Sequence, residues 1–262
     1  IDLTGAQEEL VRAVAAQGKP VVFVLVAGKP FAIPWEKANI PTILLQWYGG
    51  EEAGNALADV LFGNVNPSGK LNYSFPQSTG HLPAYYNHLP SDKGFYKRPG
   101  SYERPGRDYV FSDPSSLWNF GYGLSYTKFE YLSAVTDKNS YDFDKDTCIN
   151  VTVKVKNTGD RDGKEVVQVY VRDAVSSIVM PVKELKAFKK LFIRACDSEE
   201  ITLEIPLSEL RLTDNDGFAF YEDGDFIIEV GTASDDIAHT LRIYAGKEKA
   251  ADKNSCVKNA EK

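Results

Sequence analysis

The chain has 262 residues, room for one large or two ordinary domains. Hydrophobic residues make up 43% and charged residues 26%, the balance of a globular chain rather than a disordered one. The net charge is -7 and no basic run exceeds two residues, which excludes a nucleic-acid backbone as partner, and no apolar run approaches the roughly 18 residues of a membrane span.

Residues 1–90 alternate helix and strand signals. Thr4 with Gln7 forms the pattern of a capping box. Leu3, Ala6, Leu10 and Val14 follow at helical spacing, and Gly18 falls where a C-terminal cap belongs. Val21 to Val26 is a continuous apolar run, as in a parallel strand covered on both faces. Thr42 to Gln46 is a second such strand. A helix follows from about Glu51 to Phe62, closed by Gly63. Asn66-Pro67-Ser68-Gly69 is a turn, and Leu71 to Phe75 has the length of a short strand. So few strands do not complete a doubly wound domain, and the missing ones are expected upstream of Ile1.

Residues 91–126 form an irregular connecting segment, punctuated by Pro99, Pro105, Pro114, Gly94, Gly100 and Gly106. Its richness in Tyr, Lys and Arg suits an ordered surface connection rather than a disordered linker. Over 127–245 the hydrophobic period becomes two. Ile149, Val151, Val153 and Val155 alternate with polar residues, as do Val167, Val169 and Val171, then Ile201, Leu203 and Ile205, then Phe226, Ile228 and Val230. About seven such strands with turns between them predict an antiparallel sandwich. Residues 246–262 are polar and Lys-rich, a frayed tail.

Cys148, Cys196 and Cys256 are odd in number and widely spaced, which excludes a disulfide framework and a four-cysteine zinc site. One disulfide or three free thiols both remain open. His81, His88 and His239 make no metal spacing and read as satisfied loop histidines. No metal and no cofactor are expected.

Several stretches carry a resemblance. The run Trp47-Tyr48-Gly49-Gly50-Glu51-Glu52 through Pro67-Ser68-Gly69-Lys70-Leu71 is the most specific of them. Phe120-Gly121-Tyr122-Gly123-Leu124-Ser125-Tyr126, Asn157-Thr158-Gly159, Glu165-Val166-Val167-Gln168-Val169-Tyr170 and Pro181-Val182-Lys183-Glu184-Leu185-Lys186 follow in order. Together they resemble the second domain and fibronectin-III-like domain of glycoside hydrolase family 3, the retaining β-glucosidases and β-xylosidases. Leu82-Pro83-Ala84-Tyr85-Tyr86-Asn87-His88 is similar to the bacterial periplasmic branch, which implies a periplasmic or secreted location.

The resemblance implies a fold class of α/β plus all-β: a partial parallel α/β sandwich, then an antiparallel fibronectin-III-like (immunoglobulin-like) sandwich. It implies the C-terminal part of an exo-acting β-glycosidase with a β-linked oligosaccharide or glycoside as substrate. The family's nucleophilic Asp lies on a barrel domain, and its acid/base Glu shortly before the segment that Ile1-Asp2-Leu3 begins. Both catalytic carboxylates are therefore expected upstream of Ile1, and the chain alone is expected to be inactive. The alternative is a non-catalytic carbohydrate-binding or scaffold module. Neither reading fixes the oligomeric state; a homo-oligomer is left open.

Candidate substrate contacts are Arg107, Asp108 and Tyr109, late in the irregular segment where the family places residues near the sugar. A structural Arg–Asp pair is the competing reading. Trp118 lines the leaving-group side or anchors the domain junction. Glu51 contacts substrate or, at a helix start, complements the helix dipole.

Overall fold

The computed structural model describes residues 1–90, Glu103 and 115–247. The first part runs through helix α1 (Gln7–Ala15), strand β1 (Val22–Val26), helix α2 (Pro34–Asn39), strand β2 (Thr42–Gln46) and helix α3 (Ala53–Leu61). β1 and β2 are parallel and in register, Val22 beside Thr42 through Val26 beside Gln46. The crossover between them carries α2, which the sequence reading did not separate. Pro34 opens that helix, where a missing N–H leaves no bond unmade.

Only half of the expected capping box forms. The Thr4 N–H donates to Gln7 Oε1 at 3.2 Å, while Ala6 is the cap residue and no side chain caps α1. α3 begins at Ala53, so Glu51 and Glu52 lie in the turn before it rather than inside it. After α3, Gly63 has φ 78°, in the left-handed region that glycine enters without a Cβ clash.

Leu25 and Ala27 pack with Ile33, Phe75 and Leu117, and Phe23 joins them. The alternate residues Val22 and Val26 are 47% and 57% exposed. The apolar run predicts cover on both faces; among the described residues the face at Val22 and Val26 stays open.

From Phe129 the chain forms a sandwich. Its strands are β3 (Phe129–Thr136), β4 (Ser140–Tyr141), β5 (Cys148–Asn157), β6 (Gly163–Asp173), β7 (Glu184–Ile193), β8 (Ser198–Pro206), β9 (Leu212–Thr213), β10 (Ala219–Phe220), β11 (Gly224–Gly231) and β12 (Ile237–Ala245). One sheet has the order β4-β12-β11-β6-β7, the other β3-β5-β8, and β9 pairs with β10. The alternating valines of β5 and β6 meet in the core, with Val151, Val153, Val155, Val167 and Val169 at 0% exposure. The pairing is antiparallel except where β4 meets β12, with Ser140 beside Tyr244 and Tyr141 beside Ala245. The first two residues of the expected tail are tied down, since Gly246 N–H donates to Tyr141 O at 2.9 Å and Lys247 N–H to Asp223 Oδ1 at 3.2 Å.

On β6, Gln168 and Tyr170 lie on the sheet face opposite the core valines. Both are nevertheless buried, 2% and 0% exposed. What covers them is the segment around Phe120. Residues 71–75 and 117–123 run side by side: Leu71 N–H donates to Tyr122 O at 2.8 Å and Gly121 N–H to Leu71 O at 2.7 Å. Phe75 N–H donates to Trp118 O at 2.8 Å and Leu117 N–H to Phe75 O at 2.7 Å. The strand expected at Leu71–Phe75 does not form: the segment bends at Asn72 and Tyr73, and it is held by these hydrogen bonds and one isolated β-bridge between Phe75 and Trp118.

The other side of that run meets the sandwich. Gln168 Nε2 donates to Gly121 O at 3.1 Å and to Thr232 O, and Tyr170 OH donates to Gln168 Oε1 at 2.6 Å. Ser234 N–H donates to Phe120 O at 2.9 Å. The Tyr86 ring stacks on Phe120 at 4.3 Å and meets Tyr170 edge-on at 5.9 Å. Gly121 has φ 85°, and a Cβ there would collide with Gln168 Oε1 and lie 3.0 Å from Ala233 Cα.

Position 121 therefore accepts only glycine. Gly121→Ala adds left-handed strain and overpacking and is expected to lower stability by about 2–4 kcal/mol. Urea unfolding reads this as a lower midpoint; an unchanged midpoint would mean that the loop does not pack on Gln168.

Candidate functional site

In open α/β sheets, ligands bind outside the carboxyl ends of the parallel strands. In this chain that edge is built by the loops after β1 and β2. After β1 come Ala27, Gly28, Lys29 and Pro30; after β2 come Trp47, Tyr48, Gly49, Gly50, Glu51 and Glu52. The β2 loop is anchored at its root, where Gln46 Nε2 donates to Ala53 O at 2.8 Å. Gly50 turns the chain with φ 69°.

Two aromatic side chains dominate the edge. Tyr48 is 79% exposed and Trp47 40% exposed. Tyr48 lies against Gly28, where a Cβ would sit 2.7 Å from its Cε2. The Trp47 ring meets Tyr73 edge-on at 5.2 Å; Tyr73 contacts Phe75 at 5.5 Å, and Phe75 meets Trp118 edge-on at 5.4 Å. These four rings run from the exposed edge into the core. The Tyr73 hydroxyl is buried without a hydrogen-bond partner among the described residues, and burial pushes its pKa up to about 12. It stays protonated at any physiological pH.

Trp118 is the inner end of this row. Its ring also lies under the Lys37 ammonium, 5.1 Å away, while that Nζ donates to Leu117 O. The side chain is half-buried and bridges Phe75 to the loop that meets the sandwich. Glu51 is exposed in the turn before α3. Its neighbour Glu52 accepts from Asn55 Nδ2 at 2.6 Å. Arg107, Asp108 and Tyr109 lie outside the described residues.

Buried carboxyl groups lie elsewhere. Glu36 on α2 is 2% exposed, its Oε1 has no hydrogen-bond partner among the described residues, and burial pushes its pKa up. Glu165 on β6 is 3% exposed; burial raises it, and Lys70 opposes that rise. Lys70 Nζ lies 3.1 Å from Glu165 Oε1, which also accepts from Tyr131 OH at 3.3 Å. The same ammonium donates to Gly123 O at 3.2 Å. Glu165 is thereby committed to holding the two halves together. Asp173, at the end of β6, accepts from Val175 N–H at 3.0 Å and is also raised by burial.

His81 is buried and accepts the Gln77 N–H at Nδ1, 3.2 Å away. His239 is on β12, not on a loop as expected, with Nε2 2.9 Å from Tyr131 O. Cys148 and Cys196 are free thiols. Among the described residues no group of three or more His, Cys, Asp or Glu could hold a metal ion, and no helix is long and apolar enough to cross a membrane.

Trp47 and Tyr48 belong to the most specific motif of the sequence but are not among the contacts it predicts. The available signal was two aromatics directly after an apolar strand, the position where such sheets place ligand contacts. Also not predicted is the Lys70–Glu165 pair, whose partners are far apart in the chain.

Residues 1–126 match the glycosyl hydrolase family 3 C-terminal domain, and residues 165–234 match a fibronectin type III-like domain. The chain belongs to glycosyl hydrolase family 3. It is 41% identical over 234 residues to a β-xylosidase of Formosa agariphila, covering 89% of this chain and 31% of that protein. It is 38% identical over 237 residues to a periplasmic β-glucosidase of Salmonella typhimurium, covering 89% and 30%. Among solved structures, the β-glucosidase from Listeria innocua in complex with isofagomine superposes with a TM-score of 0.84 at 36% identity, over 94% of this chain and 34% of that one. The β-glucosidase from Kluyveromyces marxianus in complex with glucose gives 0.76 at 33% identity, over 95% and 29%. The chain spans about a third of the length of these relatives and matches their C-terminal part.

Removing one partner of a buried ion pair leaves the other charge uncompensated. Lys70→Leu is expected to cost about 3–5 kcal/mol, and Lys70→Leu with Glu165→Leu to recover a large part of that loss. A double-mutant cycle by denaturant unfolding measures it. Losses that simply add would show the two groups to be independent.

Proposed function

We propose that this chain forms the C-terminal part of a retaining exo-β-glycosidase that releases terminal sugars from β-linked oligosaccharides. The observation that carries the proposal is its likeness, over 94% of its length, to the β-glucosidase from Listeria innocua in complex with isofagomine. Relatives named β-xylosidase and β-glucosidase agree with a β-linked substrate of glucose or xylose type. A periplasmic or secreted location follows the Salmonella typhimurium relative's name.

A retaining mechanism needs two carboxyl groups about 5–5.5 Å apart, one as nucleophile and one as acid/base. We assign both to the N-terminal part of the complete enzyme. This chain contributes the edge that closes on the sugar. Arg107 and Asp108 hydrogen-bond hydroxyls, Tyr109 supplies an apolar face, Trp118 anchors the junction between the two halves, and Glu51 accepts a hydrogen bond from a hydroxyl. The open sheet face at Val22 and Val26 then packs against the remainder of the enzyme. In domain terms, 1–90 is the end of the α/β sandwich domain, 91–126 the connection, 127–245 the fibronectin-III-like domain and 246–262 the tail.

The 262-residue chain alone is expected not to hydrolyse nitrophenyl β-glucoside above background, whereas the full-length protein does. Turnover by the chain alone would contradict the assignment. In the full-length enzyme, Arg107→Ala is expected to lower kcat/KM at least about tenfold, or about 1.4 kcal/mol, with little change in melting temperature. Unchanged activity with a lowered melting temperature would make Arg107 a structural residue.

A further inference from the structure

We propose that Tyr48 is a stacking platform for a pyranose ring of the substrate, on the leaving-group side, and that Gly28 exists to seat it. This rests on the glycosidase reading above and names a contact within the same edge.

Three observations converge. The first is position: Tyr48 lies two residues past the end of β2, at the carboxyl end of the parallel pair. The second is support. Tyr48 comes from the β2 loop and rests on the backbone after β1, so its ring spans the two loops. Gly28 leaves room for it; a Cβ there would meet ring atoms at 2.7, 3.5 and 3.5 Å. The third is exposure, since the ring is 79% exposed. The ring therefore has one side seated on backbone and an open aromatic face on the other.

The chemistry of a cover for that face follows from what surrounds the ring. A pyranose in the β configuration presents axial C–H groups on its faces and hydroxyls around its rim. The C–H face fits an aromatic face, and the rim needs hydrogen-bonding groups. Glu51 supplies an exposed carboxylate three residues along the chain from Tyr48, while the Lys29 ammonium, next to Gly28 in the chain, lies over the Phe31 ring, 5.1 Å from its centroid. A phosphorylated or polyanionic ligand is disfavoured by Glu51 and Glu52 together with the net charge of -7. Trp47, the residue before it, is itself fixed by its edge contact with Tyr73 at 5.2 Å. The competing occupant is protein: a surface of the N-terminal part of the enzyme lying on the ring.

Steady-state kinetics of the full-length enzyme separate these. The readout is the ratio of kcat/KM for a β-linked disaccharide to kcat/KM for the methyl β-glycoside of the same sugar, which lacks a leaving-group ring. Tyr48→Ala is expected to lower this ratio about tenfold, the factor that about 1.4 kcal/mol makes. Tyr48→Phe, which keeps the ring, restores the ratio. Gly28→Ala, which displaces the ring without touching its chemistry, lowers it again. A fall of both efficiencies together with a lower melting temperature would assign the ring to a protein interface and overturn the proposal. So would an unchanged ratio in Tyr48→Ala. If the unsubstituted enzyme hydrolyses neither substrate, the glycosidase reading itself fails and this inference falls with it.

Discussion

Gln168 reaches out of the sandwich and holds the carbonyl of Gly121, and most of the molecule's architecture depends on that clasp. The side chain is buried, and both of its ends are used: Nε2 on Gly121 O and Thr232 O, Oε1 on the Tyr170 hydroxyl. A buried amide with any of these groups missing would cost the desolvation of whatever was left unpaired, about 1–3 kcal/mol. Satisfied, it fixes the loop at Phe120. That loop is bonded in turn to residues 71–75, and Phe75 and Leu117 belong to the small core under β1. The α/β part has few fully buried side chains of its own. Much of its order therefore comes from docking on a sandwich whose core is complete.

The stretches that make the chain recognisable meet at this junction. Glu165 and Gln168 come from one, Phe120 to Gly123 from a second, Pro67 to Lys70 from a third. Glu165 binds Lys70, and Lys70 holds Gly123 O. A Cβ on Gly123 would collide with Gly69 O, just as one on Gly121 would collide with Gln168. Asn66 adds Asp162 O at 2.9 Å and accepts from Ser125 Oγ and Tyr126 N. These residues are constrained by packing two halves together. The functional edge lies at the carboxyl ends of β1 and β2, on separate loops.

The sequence made the strands plain where one physical cause dominated. The run Val21 to Val26 and the period-two valines of β5 and β6 reflect burial of side chains on known faces, and burial leaves a periodic trace. The helix at Pro34–Asn39 is too short for a period, and only its proline marked it. Gln168 and Tyr170 read as an outer face, because period alone cannot say that a second layer covers that face. The parallel contact of β4 with β12 spans two residues and leaves no pattern. The site was less legible still. Trp118 reads as leaving-group lining or as a junction anchor, and its half-buried ring is the inner end of a row that starts at Trp47. Tyr48 and Gly28 come from different strands, and only the fold brings them together.

The sandwich holds the α/β part in place through Gln168. Amide hydrogen exchange in the intact chain tests it, comparing the natural chain with Gln168→Ala at Leu71, Phe75, Leu117 and Gly121. Of these residues, Gln168 hydrogen-bonds Gly121. All four amides are expected to lose protection together, because the two runs are docked as a unit. Protection unchanged at Phe75 and Leu117, with loss confined to the neighbourhood of Gly121, would contradict it.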